Sequence, residues 1–373
     1  MIRRILKQFK IDRALIQNFR QIKFKRDYPN DHPRIFILVN SLGGGGAQRV
    51  ASILATGLNE TYNVSVITFY PRAVEYPVSE RIEWVELADR TMVRIMQLFL
   101  LRWFRHPAAV ISFLYDGNQL NLSSKGHGKV ICSERNNPIK KAPLRFNKTV
   151  KQYRKADHVV FQSESVKQLY PKDIRDHSSI LPNPVTVAVN ASEKPNNRIV
   201  TVGRLHEQKN QAMLIRAFAK FHTTHPDYEL SLYGDGPLKE KLMELACQLG
   251  INDSVFFHGN VRNIHSLIAD AKMFVLPSNY EGLSNALLEA LMMGLPCIST
   301  DCEGSIDVIQ SEENGLLVPI GNESALYHAM CRIADDDALY ESIRRAGKKT
   351  GEKFRIENVI PEWEAMIEKV IAE

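Results

Sequence analysis

Two cations and two carboxylates stand out for where they sit. In "VGRLHEQKNQ", residues 202–211, an apolar run ends in Gly203, and Arg204 and Lys209 follow before a helical pattern begins. A guanidinium offers a fork of donors and an ammonium a point charge, so together they suit a diphosphate. They could equally be two solvated loop charges. In "PSNYEGLSNALLEALMMGLP", residues 277–296, Glu281 and Gly282 occupy a loop after the run "MFVL", and a helix begins near Leu283. The free N–H groups and dipole of that helix favour an anion. Glu289 follows eight residues after Glu281. At about 100° per residue the two side chains point roughly 80° apart. They are therefore no close acid/base pair and read as two grips on separate hydroxyl-bearing parts of one ligand. The plainer alternatives are a helix cap for Glu281 and a satisfied helix charge for Glu289.

Other apolar runs end in similar places. "LYGDGP", residues 232–237, is a turn signal leading into a helix. "VISFLYDGNQ", residues 110–119, sets Tyr115, Asp116 and Asn118 after a strand, and "ICSERNNP", residues 131–138, does so for Ser133, Glu134, Arg135 and Asn136. "NSLGGGGAQRV", residues 40–50, sets Gly43, Gly44, Gly45 and Gly46 directly after "RIFILV". Consecutive glycines raise the entropy cost of folding, so the backbone there must bend sharply or approach something closely. The run is no dinucleotide fingerprint, lacking Gly-x-Gly-x-x-Gly with a later acid, and no NTPase loop, lacking Lys-Ser/Thr.

These residues need a scaffold that brings strand ends together, and the alternation supplies one. Expected strands are Arg34–Asn40, Asn63–Phe69, Ala108–Phe113, Lys129–Cys132 and His158–Gln162, with helical patterns such as Ala47–Leu58 between them. The stretch 181–198, with three prolines, four asparagines and no periodicity, reads as a linker. Alternation then restarts with strands Arg198–Val202, Tyr228–Tyr233, Ser254–Phe257, Met273–Leu276 and Cys297–Ser299. Helices are expected at Gln211–Phe221, Leu238–Leu249, Ile264–Asp270 and Asn285–Met293. This is an α/β chain of two Rossmann-like, doubly wound domains facing across a cleft. The boundaries read 34–181 for the first domain, 182–197 for the linker, 198–355 for the second domain and 356–373 for a C-terminal helix crossing back to the first. The ligand site belongs at the strands' carboxyl ends, in the cleft.

The bulk numbers are those of a globular protein: 373 residues, 44% hydrophobic and 24% charged. No apolar run reaches the roughly 20 residues of a membrane helix. The start, "MIRRILKQFK", lacks the pattern of a secretory signal. Cys132, Cys247, Cys297, Cys302 and Cys331 show neither zinc nor disulfide spacing, which points to a reducing, cytoplasmic location. The net charge of +6 comes from residues 1–34, where ten Lys/Arg face three Asp. Ile2, Ile5, Leu6, Phe9, Leu15, Ile16, Phe19 and Ile22 recur there at helical spacing. Such a basic amphipathic segment, 1–33, suits an anionic membrane surface, or else the protein's own flank. No nucleic-acid recognition motif accompanies it.

The motif order is informative as a whole. "GRLHEQKN", "LYGDGPLKEKL", "VFFHGNV", "VLPSNYEGLSNALLEALMMGLPCIST" and "NGLLVP" together resemble a retaining glycosyltransferase of family 4 ("glycosyl transferases group 1") with the GT-B fold. The resemblance runs from Ile199 to Pro319, is weaker over residues 34–180, and includes the bacterial surface-polysaccharide transferases. It implies a nucleotide-diphospho-sugar donor, with UDP favoured over GDP, and no separate cofactor. Arg204 and Lys209 would hold the diphosphate and stabilise the leaving nucleotide. Glu289 would bind the ribose and Glu281 would sit by the donor sugar. Backbone amides of Gly282, Leu283, Ser284 and Asn285 would meet hydroxyls and phosphate, and Gly259, Asn260 and Val261 would hold the base. Two basic groups and a helix N-terminus neutralise a diphosphate without a metal. Asp335–Asp337 opens a helix and reads as its cap.

Many relatives of that family carry a histidine near the strand that here ends in Tyr115–Asn118. This chain has none there, and His127 falls in a separate "KGHGK" turn. Similar Ser-Glu-Arg-Asn runs occur in relatives that build on lipid carriers. The expectation is therefore transfer, by front-face attack, to a saccharide acceptor carried on a lipid at the inner membrane face, for O-antigen or capsule. The alternatives are a nucleotide-sugar epimerase on the same fold and, less well matched, a dinucleotide-dependent oxidoreductase.

Overall fold

The computed structural model describes residues 32–71, 74–141 and 143–373. The basic pattern read for residues 1–33 thus lies almost wholly outside the described residues. The strands are β1 Arg34–Leu38, β2 Asn63–Thr68, β3 Glu83–Glu86, β4 Ala109–Phe113, β5 Lys129–Ser133, β6 His158–Phe161, β7 Ser178–Ile180, β8 Asn196–Val202, β9 Glu229–Tyr233, β10 Val255–Gly259, β11 Ala271–Leu276, β12 Cys297–Thr300 and β13 Leu316–Val318. They form two parallel sheets, ordered β3-β2-β1-β4-β5-β6-β7 and β10-β9-β8-β11-β12-β13. All ten strands expected from sequence are present, with ends within two residues of expectation. This is the GT-B arrangement of two Rossmann-like sheets.

Contacts divide the chain into two compact units. One holds the residues up to Ser133 with Lys155–His158 and Ile367–Glu373; the other holds Glu134–Arg154 and Val159–Met366. In the first unit, β1 pairs in parallel with both β2 and β4. The chain therefore runs outward to one side and returns on the other, leaving a switch point at the carboxyl ends of β1 and β4. Central strands read as unbroken apolar runs because helices cover both faces. Phe36, Leu38, Ile67, Val110 and helix residues Leu98 and Leu101 share one core cluster. Arg102 of helix Thr91–Arg105 is fully buried. Its guanidinium donates to the carbonyls of His127 and Gly128, at 2.9 and 2.7 Å, and to Asn121 Oδ1 at 3.0 Å. It thereby pins the turn that contains His127. Burial brings the Arg102 pKa down to about 10, against the opposing field of Asp157.

In the second unit, β8 pairs with β9 and β11, so a second switch point lies at their carboxyl ends. Period-two alternation gives this sheet two apolar faces. Ile199, Met273 and Val275 pack with Leu214 and Phe218 of helix Gln211–His222. Val200, Phe274 and Leu276 pack with Leu287, Leu288 and Leu291 of helix Asn285–Met293. Each such buried side chain contributes roughly 1.5–3 kcal/mol, so the helix that opens at Asn285 is anchored along its length. None of the described helices is long and apolar enough to cross a membrane.

Candidate functional site

Two loops leave the switch point of the second unit, one after β8 and one after β11. Amide side chains bind them together. Gln208 Nε2 donates to the Tyr280 carbonyl at 3.1 Å, and Asn279 N donates to the Gln208 carbonyl at 2.8 Å. Asn210 Nδ2 donates to Asn279 Oδ1 at 3.0 Å, and Asn279 Nδ2 donates to the Glu207 carbonyl at 2.8 Å. The clasp brings Lys209 onto Glu281. The ammonium lies 2.6 Å from Glu281 Oε1, which also accepts from Ser278 Oγ at 2.7 Å. The Lys209 stem lies along Gly203, where an added Cβ would stand 3.3 Å from Lys209 Cε. Glu281 is buried, while Arg204 from the same loop is exposed. Two residues expected at different parts of a donor thus meet as an ion pair.

Beyond Glu281 the backbone of Gly282–Ser284 is buried and leads into helix Asn285–Met293. An added Cβ on Gly282 would fall 1.6 Å from Gln162 Nε2 and 2.8 Å from the Arg135 carbonyl. One on Gly304 would fall 1.7 Å from the Gly282 carbonyl oxygen. Only glycine fits this stack, so the turn is wedged on two sides. Asn183 fixes it on a third. Its Nδ2 donates to the Leu283 carbonyl at 3.0 Å and to Asn285 Oδ1 at 2.6 Å, while its Oδ1 accepts from Arg135 Nη1 at 2.7 Å. Asn183 lies in the stretch read only as a linker.

Glu289 is buried about one turn into the helix, and its Oε2 sits 3.0 Å from His265 Nε2. His265 Nδ1 accepts from the Ala188 N–H at 3.3 Å, so its proton is on Nε2 and is donated to Glu289. Gly259 ends β10, and Asn260 and Val261 follow it. Gly259 has φ 68°, and its carbonyl accepts from Gly234 N at 2.8 Å. Asp336, from the run Asp335–Asp337, accepts from Leu339 N at 2.9 Å as a helix cap.

Ser133, Glu134 and Arg135 are buried, and Asn136 is half-buried. Glu134 Oε1 accepts from the N–H groups of Arg135 and Asn136, at 3.0 and 3.2 Å, and Oε2 accepts from the hydroxyls of Tyr153 and Tyr170, both at 2.9 Å. Burial raises the Glu134 pKa, against the lowering effect of these bonds. Burial also lowers Arg135 to about 9, with Glu134 opposing. Glu134 therefore holds the turn, and Arg135 reaches toward Asn183.

In the first unit, Asn118 is buried between Ser112 Oγ and the Ser133 carbonyl, at 2.8 and 3.1 Å. Tyr115 Oη accepts from Gln119 Nε2, and Asp116 is exposed. Leu114, which opens this helix after β4, has φ 65°. That conformation is unusual for a branched side chain and costs about 1–3 kcal/mol; nothing in the sequence marks it. Gly44 and Gly45 also take positive φ, 56° and 128°, and helix Gly46–Leu58 starts there without a side-chain cap. A cavity of about 540 Å³ lies elsewhere, among Arg102, His106, Lys125, His127 and Lys129, and contains none of the expected site residues.

Residues 185–350 match the sequence pattern of the family described as "Glycosyl transferases group 1". The N-acetylgalactosamine-N,N'-diacetylbacillosaminyl-diphospho-undecaprenol 4-alpha-N-acetylgalactosaminyltransferase of Campylobacter jejuni is 26% identical over 356 residues, covering 86% of this chain and 95% of the relative. The lipopolysaccharide core biosynthesis glycosyltransferase LpsD of Rhizobium meliloti is 35% identical over 152 residues, 41% of this chain and 43% of the relative. Among solved structures, Anabaena HepE in complex with UDP and glucose superposes with a TM-score of 0.81 at 15% identity, covering 90% of this chain and all of that one. The lipopolysaccharide outer core galactosyltransferase WaaB gives 0.70 at 21% identity, covering 90% and 99%. The chain has the GT-B fold of these solved structures, and its residues 185–350 match the domain of the glycosyl transferases group 1 family.

Proposed function

We propose that the protein transfers a sugar from a UDP-sugar to a lipid-linked saccharide, with retention at the anomeric carbon, in bacterial surface polysaccharide synthesis. The observation that carries this reading is the Lys209–Glu281 pair at the β8/β11 switch point, beside the amino end of helix Asn285–Met293. Lys209 and Glu281 balance each other's charge. An arriving diphosphate gives Lys209 a second anionic partner, joined by the exposed Arg204 and the helix N–H groups. As the bond to the leaving phosphate lengthens, negative charge grows on the phosphate side and positive charge on the sugar ring. Lys209 and Arg204 meet the first and the Glu281 carboxylate meets the second. The acceptor hydroxyl attacks from the face the nucleotide leaves and gives its proton to the departing phosphate. No metal has a part in these steps. Glu289, oriented by His265, binds the ribose. Gly43–Gly46 and the Tyr115–Asn118 segment serve the acceptor.

The Campylobacter relative's name specifies a diphospho-undecaprenol acceptor, and HepE was solved with UDP. Those names support a UDP donor and a lipid carrier, and the same reading places the protein at the cytoplasmic face of the membrane. The test is sugar transfer from a panel of UDP-sugars to undecaprenyl-diphosphate-linked saccharides, with the product anomer read by NMR. Lys209→Ala and Glu281→Ala should each lower turnover by about 10²-fold or more. Near-normal turnover in both, an inverted anomer, or loss of activity in EDTA would each refute part of the scheme. A new UDP-sugar formed without acceptor would make the protein an epimerase.

A further inference from the structure

The stretch 138–154 follows directly on the Ser133–Asn137 turn and carries six Lys/Arg and no acid. Asn137 Oδ1 starts it as a helix by accepting from Ile139 N and Lys140 N, both at 3.0 Å. Helix Pro143–Tyr153 then turns two different faces to its surroundings. Thr149, Val150 and Tyr153 are buried, and Phe146 meets the Tyr170 ring edge-on at 5.3 Å. On the opposite side, Leu144, Lys148 and Lys151 fall within about 60° of arc. Leu144 is 99% exposed, and Ile139 in the preceding turn is 40% exposed. Other cations of the stretch are neutralised, Lys140 by Glu303 at 3.0 Å and Arg154 by Asp173 at 2.5 Å. Among the described residues no carboxylate pairs with Lys148 or Lys151. An apolar side chain thus stands fully in solvent at the tip of a helix whose outward face is cationic.

We infer that this helix face is a membrane-contact surface, with Leu144 entering the acyl boundary of an anionic bilayer and Lys148 and Lys151 meeting lipid phosphates. Charge complementarity selects the bilayer as occupant, and the apolar tip selects it over nucleic acid, which offers phosphates but no apolar layer for a leucine to enter. The purpose of the contact rests on the lipid-linked acceptor proposed above. The contact itself does not.

The experiment is flotation of the full-length protein with extruded vesicles of phosphatidylcholine alone and of phosphatidylcholine with equimolar phosphatidylglycerol. Each lysine at an anionic surface contributes about fivefold to partition. Lys148→Gln with Lys151→Gln should therefore weaken binding to the anionic vesicles by about 25-fold. Leu144→Trp, at a solvent position where folding is not at stake, should bind at least as well as wild type and shift its fluorescence to the blue only with anionic vesicles. Unchanged emission while the protein floats, or wild-type binding by the lysine variant, would overturn the inference and assign the contact to residues 1–31. Failure of the wild type to float, or retention on duplex DNA in its place, would also overturn it. UDP release from UDP-sugars, measured on wild type without vesicles, reports the transferase reading separately.

Discussion

Replacing Gly304 by alanine probes the Gly282–Leu283 turn from behind, without substituting any residue proposed to bind the donor. The added Cβ would lie 1.7 Å from the Gly282 carbonyl oxygen, 2.5 Å from its carbon and 2.9 Å from Leu283 Cα. All three are backbone atoms, so no rotamer change relieves the clash. Ordinary contact begins near 3.4 Å, and the gap must therefore open by about 1.7 Å. The short helix Glu303–Ile306 is held by a Ser299–Ser305 hydroxyl contact of 2.7 Å and by Ile309 N on the Ser305 carbonyl at 2.8 Å. The opposing turn is held by Asn183 at 3.0 Å. Overpacking of this kind costs about 1–3 kcal/mol, or roughly 2–12 °C in melting temperature for a unit of this size. A displacement near 1 Å at a substrate-positioning turn lowers catalysis by about 10²-fold. Calorimetry and coupled UDP release should thus show a folded variant with kcat/KM down about a hundredfold. Wild-type kcat/KM in a folded Gly304→Ala protein would refute the argument that this stack sets the Gly282–Leu283 position.

Asn183→Asp keeps a partner for Arg135 but turns both donated bonds, to Leu283 and Asn285, into repulsions and adds negative charge beside the proposed diphosphate site. It should raise the donor KM by roughly tenfold or more and, because Asn183 is buried, also cost about 1–3 kcal/mol of stability; an unchanged KM in the folded variant would remove Asn183 from the site. His265→Ala removes one donor from the buried Glu289 carboxylate and should destabilise by about 1–3 kcal/mol in urea titration; no change would mean Glu289 does not depend on His265 for its orientation. Glu134 has its pKa raised in the fold, so the native state holds the proton more tightly than the unfolded one. Its contribution is full below the ordinary glutamate range and falls as pH rises through the folded value. Glu134→Gln should flatten that decline in melting temperature; parallel wild-type and variant curves would refute it.

The sheets were legible because parallel strands covered on both faces leave unbroken apolar runs. The strands that escaped notice are short or alternate with polar residues: β3 is "EWVE", β7 is "SSI" and β13 is "LLV". Lys209 and Glu281 could be named from their place after strand ends, but their 2.6 Å ion pair could not, since it depends on the amide clasp between loops 72 residues apart. Asn183 and His265 were invisible for the same reason. Each acts through a partner far along the chain, and neither belongs to a local pattern. Glu134 misled in the opposite direction. A charged Ser-Glu-Arg-Asn turn looks like a ligand grip, yet two tyrosines 19 and 36 residues downstream consume one carboxylate oxygen.

The clasp formed by Gln208, Asn210 and Asn279 has one further consequence. Amides do not ionise anywhere in the range where proteins stay folded, and their bonds are little screened by salt. The two loops should therefore hold the same shape from mild acid to mild base and at any moderate ionic strength. A change in donor binding with salt then reports on Lys209 and Arg204 meeting charge on the ligand, because the frame that carries them is blind to the variable being changed.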